Sequence, residues 1–68
     1  MENYYVSKKV TATGYHEVHK QNCPLMPERN EILYLGYFTH CTPAVQKAKD
    51  YFKNVYGCRE CAKKCSQA

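Results

Sequence analysis

The sequence predicts a small α+β domain: a sheet of about three mostly antiparallel strands, packed by one main helix, with a short second helix near the C-terminal end. Three observations lead there. The first half of the chain is rich in β-branched and aromatic runs, and a capped amphipathic stretch follows Thr42. The length of 68 residues fits one domain spanning the chain, with a core from about residue 4 to residue 65. A chain of this size buries only about 60% of the surface its unfolded form exposes. Ordering costs roughly 1.5 kcal/mol per residue and nearly cancels what so small a core supplies. A cross-link of some kind is therefore expected.

Taken in order, Tyr4-Tyr5-Val6 and Val10-Thr11-Ala12-Thr13 read as strand, and Gly14 as a break before Tyr15-His16-Glu17-Val18-His19. In that last run Glu17 and His19 share one face, while His16 and Val18 share the other. Two prolines, Pro24 and Pro27, exclude regular structure from the next segment, where Leu25 and Met26 are apolar enough to cover part of the core. Ile32-Leu33-Tyr34-Leu35-Gly36-Tyr37-Phe38 is a nearly continuous apolar run. It reads as the central and most buried strand.

Thr42 suits a helix N-cap, and Pro43 suits the first helical position, where its missing N–H would have been unpaired anyway. Ala44, Val45, Ala48, Tyr51 and Phe52 fall within an arc of about 120° at 100° per residue, with Gln46, Lys49, Asp50 and Lys53 outside it. One face should pack on the sheet. Beyond Gly57, residues 60–66 are expected to form the short second helix.

Two half-sites organise this frame: His19-Lys20-Gln21-Asn22-Cys23 and Cys58-Arg59-Glu60-Cys61. As H-x3-C followed by C-x2-C they offer one imidazole and three thiolates, the ligand set of a closed structural zinc site. The C-x2-C is the stronger half, and Gly57 is expected to let the backbone bend tightly before the first ligand. Structural zinc contributes on the order of 10–16 kcal/mol in small peptides, enough to fold a marginal chain.

Disulfides are the competing staple. The cysteine count of five is odd, which would leave one thiol unpaired in an oxidising compartment. Residues 1–9 lack a basic segment followed by an apolar run, so no secretory signal is visible, although a processed fragment would look the same. No stretch approaches the roughly 20 apolar residues of a membrane span. Zinc in a cytoplasmic protein is the expectation, with no membrane role. Outside the quartet, Cys65 reads as a small thiol or a substitute ligand, and Cys41 as a packing residue. His16 reads as a solvent-exposed strand residue. His40 with Cys41 could begin a second metal half-site that nothing in the sequence completes.

The order of these features, a Val-His-x3-Cys, a loop with proline, an apolar strand, a capped helix and Val55-Tyr56-Gly57-Cys58-Arg59-Glu60-Cys61, resembles the metal-binding domain of the Ada DNA-repair methyltransferase and the wider family of small Ada-like zinc modules. The likeness runs from about Tyr15 to Cys61. It departs from the family pattern in having one residue fewer between the glycine and the C-x2-C. The resemblance implies a zinc-stabilised fold and weights nucleic acid as the ligand. In the Ada repair domain four cysteines hold the metal, and the first of them accepts a methyl group from a DNA phosphotriester. The corresponding position here is His19, whose lone pair is committed to the metal, so that chemistry is expected to be absent.

Ten Lys and Arg against six Asp and Glu give a net charge of +4. Lys47, Lys49 and Lys53 on the helix, with Arg59, Lys63 and Lys64 around the C-x2-C, are the candidate nucleic-acid contacts. They also suit a solvated helix face and charges that offset an anionic metal centre. Seven tyrosines and two phenylalanines can fill a small core or leave an aromatic face for bases or a protein partner. The sequence offers no carboxylate pair, Ser-His constellation or phosphate-cradling glycine loop. A non-catalytic zinc-binding module is the expected function, with a protein-interaction module as the alternative. A methyl acceptor or thiol-redox protein comes last.

Overall fold

A computed structural model describes residues 1–12 and 14–65. Strands β1 (Glu2–Val10), β2 (His16–Lys20), β3 (Ile32–Phe38) and β4 (Val55–Gly57) make one sheet in the order β3-β1-β2-β4 among the described residues. Helix α1 (Cys41–Ala48) lies between β3 and β4 in the chain, and single 3-10 turns occupy Arg29–Glu31 and Lys63–Cys65. β1 pairs antiparallel with both β2 and β3, which gives the expected three-stranded antiparallel unit. The addition is β4, only three residues long and parallel to β2. So short a strand has no periodicity to read.

The centre of the sheet is β1 and β2. Val6 and Val18 face each other in register and are both fully buried, and Tyr4, Leu35, Ala44, Ala48, Val55 and Ala62 close around them. β3 is an edge strand and not the central one. Only Leu35 is buried there, while Tyr34 and Tyr37 are each 56% exposed. The apolar run misled because tyrosine presents a ring that packs and a hydroxyl that stays wet. Tyr34 shows this directly: its ring lies 5.4 Å from that of Tyr5, and its hydroxyl donates to Asn3 Oδ1 at 2.8 Å. Gly36 sits at φ +139, where a Cβ would come within 2.9 Å of the Phe38 ring. β1 and β3 slip register beside it, as a bulge there requires.

Other boundaries move. β1 runs unbroken to Val10, with Thr11 and Ala12 beyond it; Thr13, also read as strand, lies outside the described residues. The cap position of α1 is His40, without a side-chain capping bond, and Thr42 stands inside the first turn. Ala44 and Ala48 face the core as expected, but the helix stops at Ala48, whose carbonyl accepts the N–H groups of Tyr51 and Phe52. That turn leaves Tyr51 51% exposed and brings Phe52 onto His16, ring on ring at 3.8 Å and 14°. His16 is thus half-buried and not a solvent-exposed residue, and its Nδ1–H donates to the Ser7 carbonyl at 2.8 Å. Leu25 is also displaced from expectation, 48% exposed and away from the core. No helix among the described residues is long and apolar enough to cross a membrane.

In place of the second helix, residues 58–62 form a turn closed by the Ala62 N–H on the Cys58 carbonyl, and the 3-10 turn follows. Ser66, the last residue expected in that helix, lies outside the described residues.

Candidate metal centre

Alternation along β2 sends Val18 into the core beneath α1 and His19 to the opposite face, across from Tyr5. The strand ends at Lys20 in a tight turn. The Cys23 N–H donates to the Lys20 carbonyl at 3.2 Å, and Asn22 adopts the left-handed conformation at φ 67. Asparagine tolerates that region better than most residues. This turn folds Cys23 back onto His19.

The second half-site is delivered by β4. Parallel pairing sets Gly57 beside Val18, and the Cys58 N–H continues the ladder to the Val18 carbonyl at 2.8 Å. Cys58 therefore emerges next to His19. The sequence assigned Gly57 a tight bend, but its φ is not among the positive values, so its role is different. A Cβ there would meet Cys65 Cβ at 2.6 Å, the Ala62 carbonyl oxygen at 2.7 Å and the Cys65 carbonyl carbon at 2.9 Å. Glycine is needed because the last 3-10 turn lies directly on it.

The four ligand atoms of His19, Cys23, Cys58 and Cys61 all lie within 4.8 Å of one another, and the first three residues are buried. Cys23 Sγ stands 3.8 Å from Cys58 Sγ, while His19 Nδ1 stands 3.5 Å from Cys23 Sγ and 3.9 Å from Cys61 Sγ. Metal–sulfur bonds of about 2.3 Å and metal–nitrogen bonds of about 2.0–2.1 Å at tetrahedral angles give edges of about 3.8 Å between sulfurs and about 3.5 Å from sulfur to nitrogen. These three separations match those edges and all four donors lie within 4.8 Å of one another, so the group could hold a metal ion. It also selects Nδ1 as the nitrogen facing the sulfurs, which spacing alone left open.

Electrostatics favour the same occupant. Burial lowers the pKa of His19, partly opposed by the Glu17 carboxylate, so the imidazole is held in the neutral form that ligates. Burial also pushes the Cys61 thiol well up, with the contact to Cys23 adding to it, while the Lys20 N–H works the other way. Three crowded thiolates need a cation to compensate them. The Lys20 N–H reaches Cys61 Sγ and the Glu60 N–H reaches Cys58 Sγ, each at 3.4 Å. Glu17 Oε1 lies 3.9 Å from His19 Nε2, beside the ring nitrogen left over from ligation. The shared strand face of Glu17 and His19 was readable in the sequence; the placement of the Glu17 carboxylate beside Nε2 was not.

The remaining two cysteines are joined. Cys41 and Cys65 form a disulfide, tying the start of α1 to the final 3-10 turn. This corrects both readings of these residues, the packing residue and the free or substitute thiol. It also corrects the choice between staples, since the fold carries a disulfide beside its candidate metal site. The odd count resolves into three thiols, which share the cluster with one imidazole, plus one bonded pair. His40 is exposed and enters no second cluster among the described residues.

Lys47, Lys49, Lys53, Arg59, Lys63 and Lys64 are all exposed. They do not line a single hollow. Lys63 and Lys64 border a cleft of about 450 Å³ with His40, Thr42 and Cys61, whereas Arg59 borders another with Glu17 and Tyr56. Lys47 lies 3.9 Å from Asp50 and 6.0 Å from the centre of the Tyr51 ring. No protein-family model matches the chain, and neither does any curated protein or solved structure.

Proposed function

We propose that this chain is a small, non-catalytic binding module folded around one structural zinc ion held by His19 Nδ1, Cys23, Cys58 and Cys61. The observation that carries the reading is the convergence of those four donors, all within 4.8 Å of one another and three of the separations at 3.5–3.9 Å. Three thiolates with one imidazole suit zinc by ligand softness, and four protein ligands leave no position for water or substrate. His19 stands where the Ada-like pattern has its methyl-accepting cysteine, which supports a binding role within that family. One zinc ion with three thiolates and a neutral imidazole is net negative, and exposed Lys63, Lys64 and Arg59 offset it.

Nucleic acid is the proposed ligand, supported by exposed Lys47 on α1, by Lys49 and Lys53, which the sequence put on the helix but which lie beyond its end at Ala48, and by the exposed basic residues around the C-x2-C. Metal content and DNA and RNA retention at graded salt test the two parts separately. One zinc per chain is expected, lost in His19→Ala and in Cys58→Ser. Affinity for nucleic acid should fall steeply with salt, and Lys63→Glu with Lys64→Glu should abolish it. Metal-free folded protein would refute the first part, and retention independent of salt and of those charges would refute the second. The exposed Tyr34 and Tyr37 support a second reading, docking of a protein partner on the sheet face away from α1.

A further inference from the structure

We infer that the Cys41–Cys65 disulfide is a redox latch on the metal centre. The bond spans 24 residues of sequence, and the segment it closes contains Cys58 and Cys61, the whole C-x2-C half of the quartet. It holds the final 3-10 turn against Gly57, the residue immediately before the first of those ligands. Ala62, next to Cys61, is buried in the core beneath that turn. Position of the half-site is therefore set from two sides, by β4 before it and by the latched turn after it.

The latch is reachable. Its reachable end is Cys65, which is half-buried, whereas Cys41 is buried at the wall of the 450 Å³ cleft that also borders Cys61, the one quartet residue that is not buried. An external dithiol attacks one sulfur of the bond, forming a mixed disulfide, and its second thiol then displaces that sulfur. The dithiol leaves as a disulfide having given two electrons, and Cys41 and Cys65 each end as a thiol. No residue of the quartet is consumed.

Metal binding in so small a chain is coupled to folding, so anything that widens the metal-free ensemble weakens apparent affinity. Opening a loop of this length sets a ceiling of about 300-fold on that loss by chain-entropy arithmetic. A loss of at least about tenfold is expected, within that ceiling. The inference rests on the zinc reading above and goes beyond it, since a closed structural site needs no redox control.

The test compares zinc affinity, by competition with a chromophoric chelator, for the oxidised protein, the dithiol-reduced protein freed of reductant without air, and Cys41→Ser/Cys65→Ser. Release of zinc from preloaded oxidised protein on adding a trialkylphosphine, which reduces the bond without the dithiol's own affinity for zinc, is followed in parallel and needs no refolding of a variant. The latch predicts weaker binding in the reduced protein and the double variant, and release that begins as the phosphine opens the bond. Equal affinity in all three, or unchanged release with the thiols shown free by alkylation, overturns the latch and leaves the zinc site standing. Failure of even the oxidised protein to take up zinc overturns the zinc reading, and the latch with it.

Discussion

Gly57→Ala is the most direct probe of how the metal half-site is held. The new methyl group would lie 2.6 Å from Cys65 Cβ and 2.7 Å from the Ala62 carbonyl oxygen. Neither atom is the end of a flexible side chain: one is anchored by a disulfide and the other is backbone. Overpacking of this kind costs about 1–3 kcal/mol, against about 0.4–1 kcal/mol gained by restricting the unfolded chain. Steric cost wins. A net loss near 1–2 kcal/mol corresponds to a fall in Tm of roughly 5–15 °C for a domain of this size. Thermal and urea unfolding of the zinc-loaded protein measure it. The same substitution in Cys41→Ser/Cys65→Ser should cost less, because the unlatched turn can move away, and the difference is the coupling between the two sites. A variant as stable as the parent, or an equal cost in both backgrounds, would refute the packing argument.

Other predictions concern the core and the ligands. Val18→Ala removes two methyl-sized groups from a fully buried site between β1 and α1 and should cost about 2 kcal/mol in urea unfolding without changing metal stoichiometry. Phe52→Ala strips the ring stacked on His16 and should cost about 1–3 kcal/mol, partly because the half-buried imidazole loses its cover. The lowered pKa of His19 makes stability pH-dependent: it is fully present above the ordinary histidine value of 6.5 and lost as pH falls through the lowered folded value. Zinc binding should weaken as pH falls, because the three thiols compete for protons with the metal and the imidazole joins them below about 6.5; an affinity whose pH slope does not steepen there would remove His19 from the ligand set. Glu17→Gln should weaken zinc binding by about tenfold if its carboxylate supports His19 from behind; unchanged affinity would make it a bystander.

The metal cluster was legible because ligand spacing is a local property: H-x3-C and C-x2-C each declare themselves within a few residues. The alternation that puts His19 and Val18 on opposite faces was equally local. What stayed hidden depends on neighbours that are distant in sequence. β3 looked central because its run is apolar, but its position at the edge is decided by what pairs with β1. Gly57 looked like the site of a tight bend, yet it is glycine because Cys65 comes to rest on it. The bond between Cys41 and Cys65 had no signal at all, since neither residue stands in a recognisable pairing motif and only the docking of the last turn on α1 brings them together. β4 was missed for the opposite reason, being too short to carry a pattern although it positions Cys58.

The division of the five cysteines bears on how the protein must be made. Cys23 and Cys58 lie with their sulfurs 3.8 Å apart, close enough that air oxidation of the metal-free chain would join them and leave the others to scramble. A cation bound first acts as a protecting group: it masks three thiols and leaves Cys41 and Cys65 as the only pair an oxidant can use. Preparations exposed to chelators before oxidation should accumulate mispaired, aggregation-prone forms, and those loaded with zinc before oxidation should yield a single species by non-reducing peptide mapping.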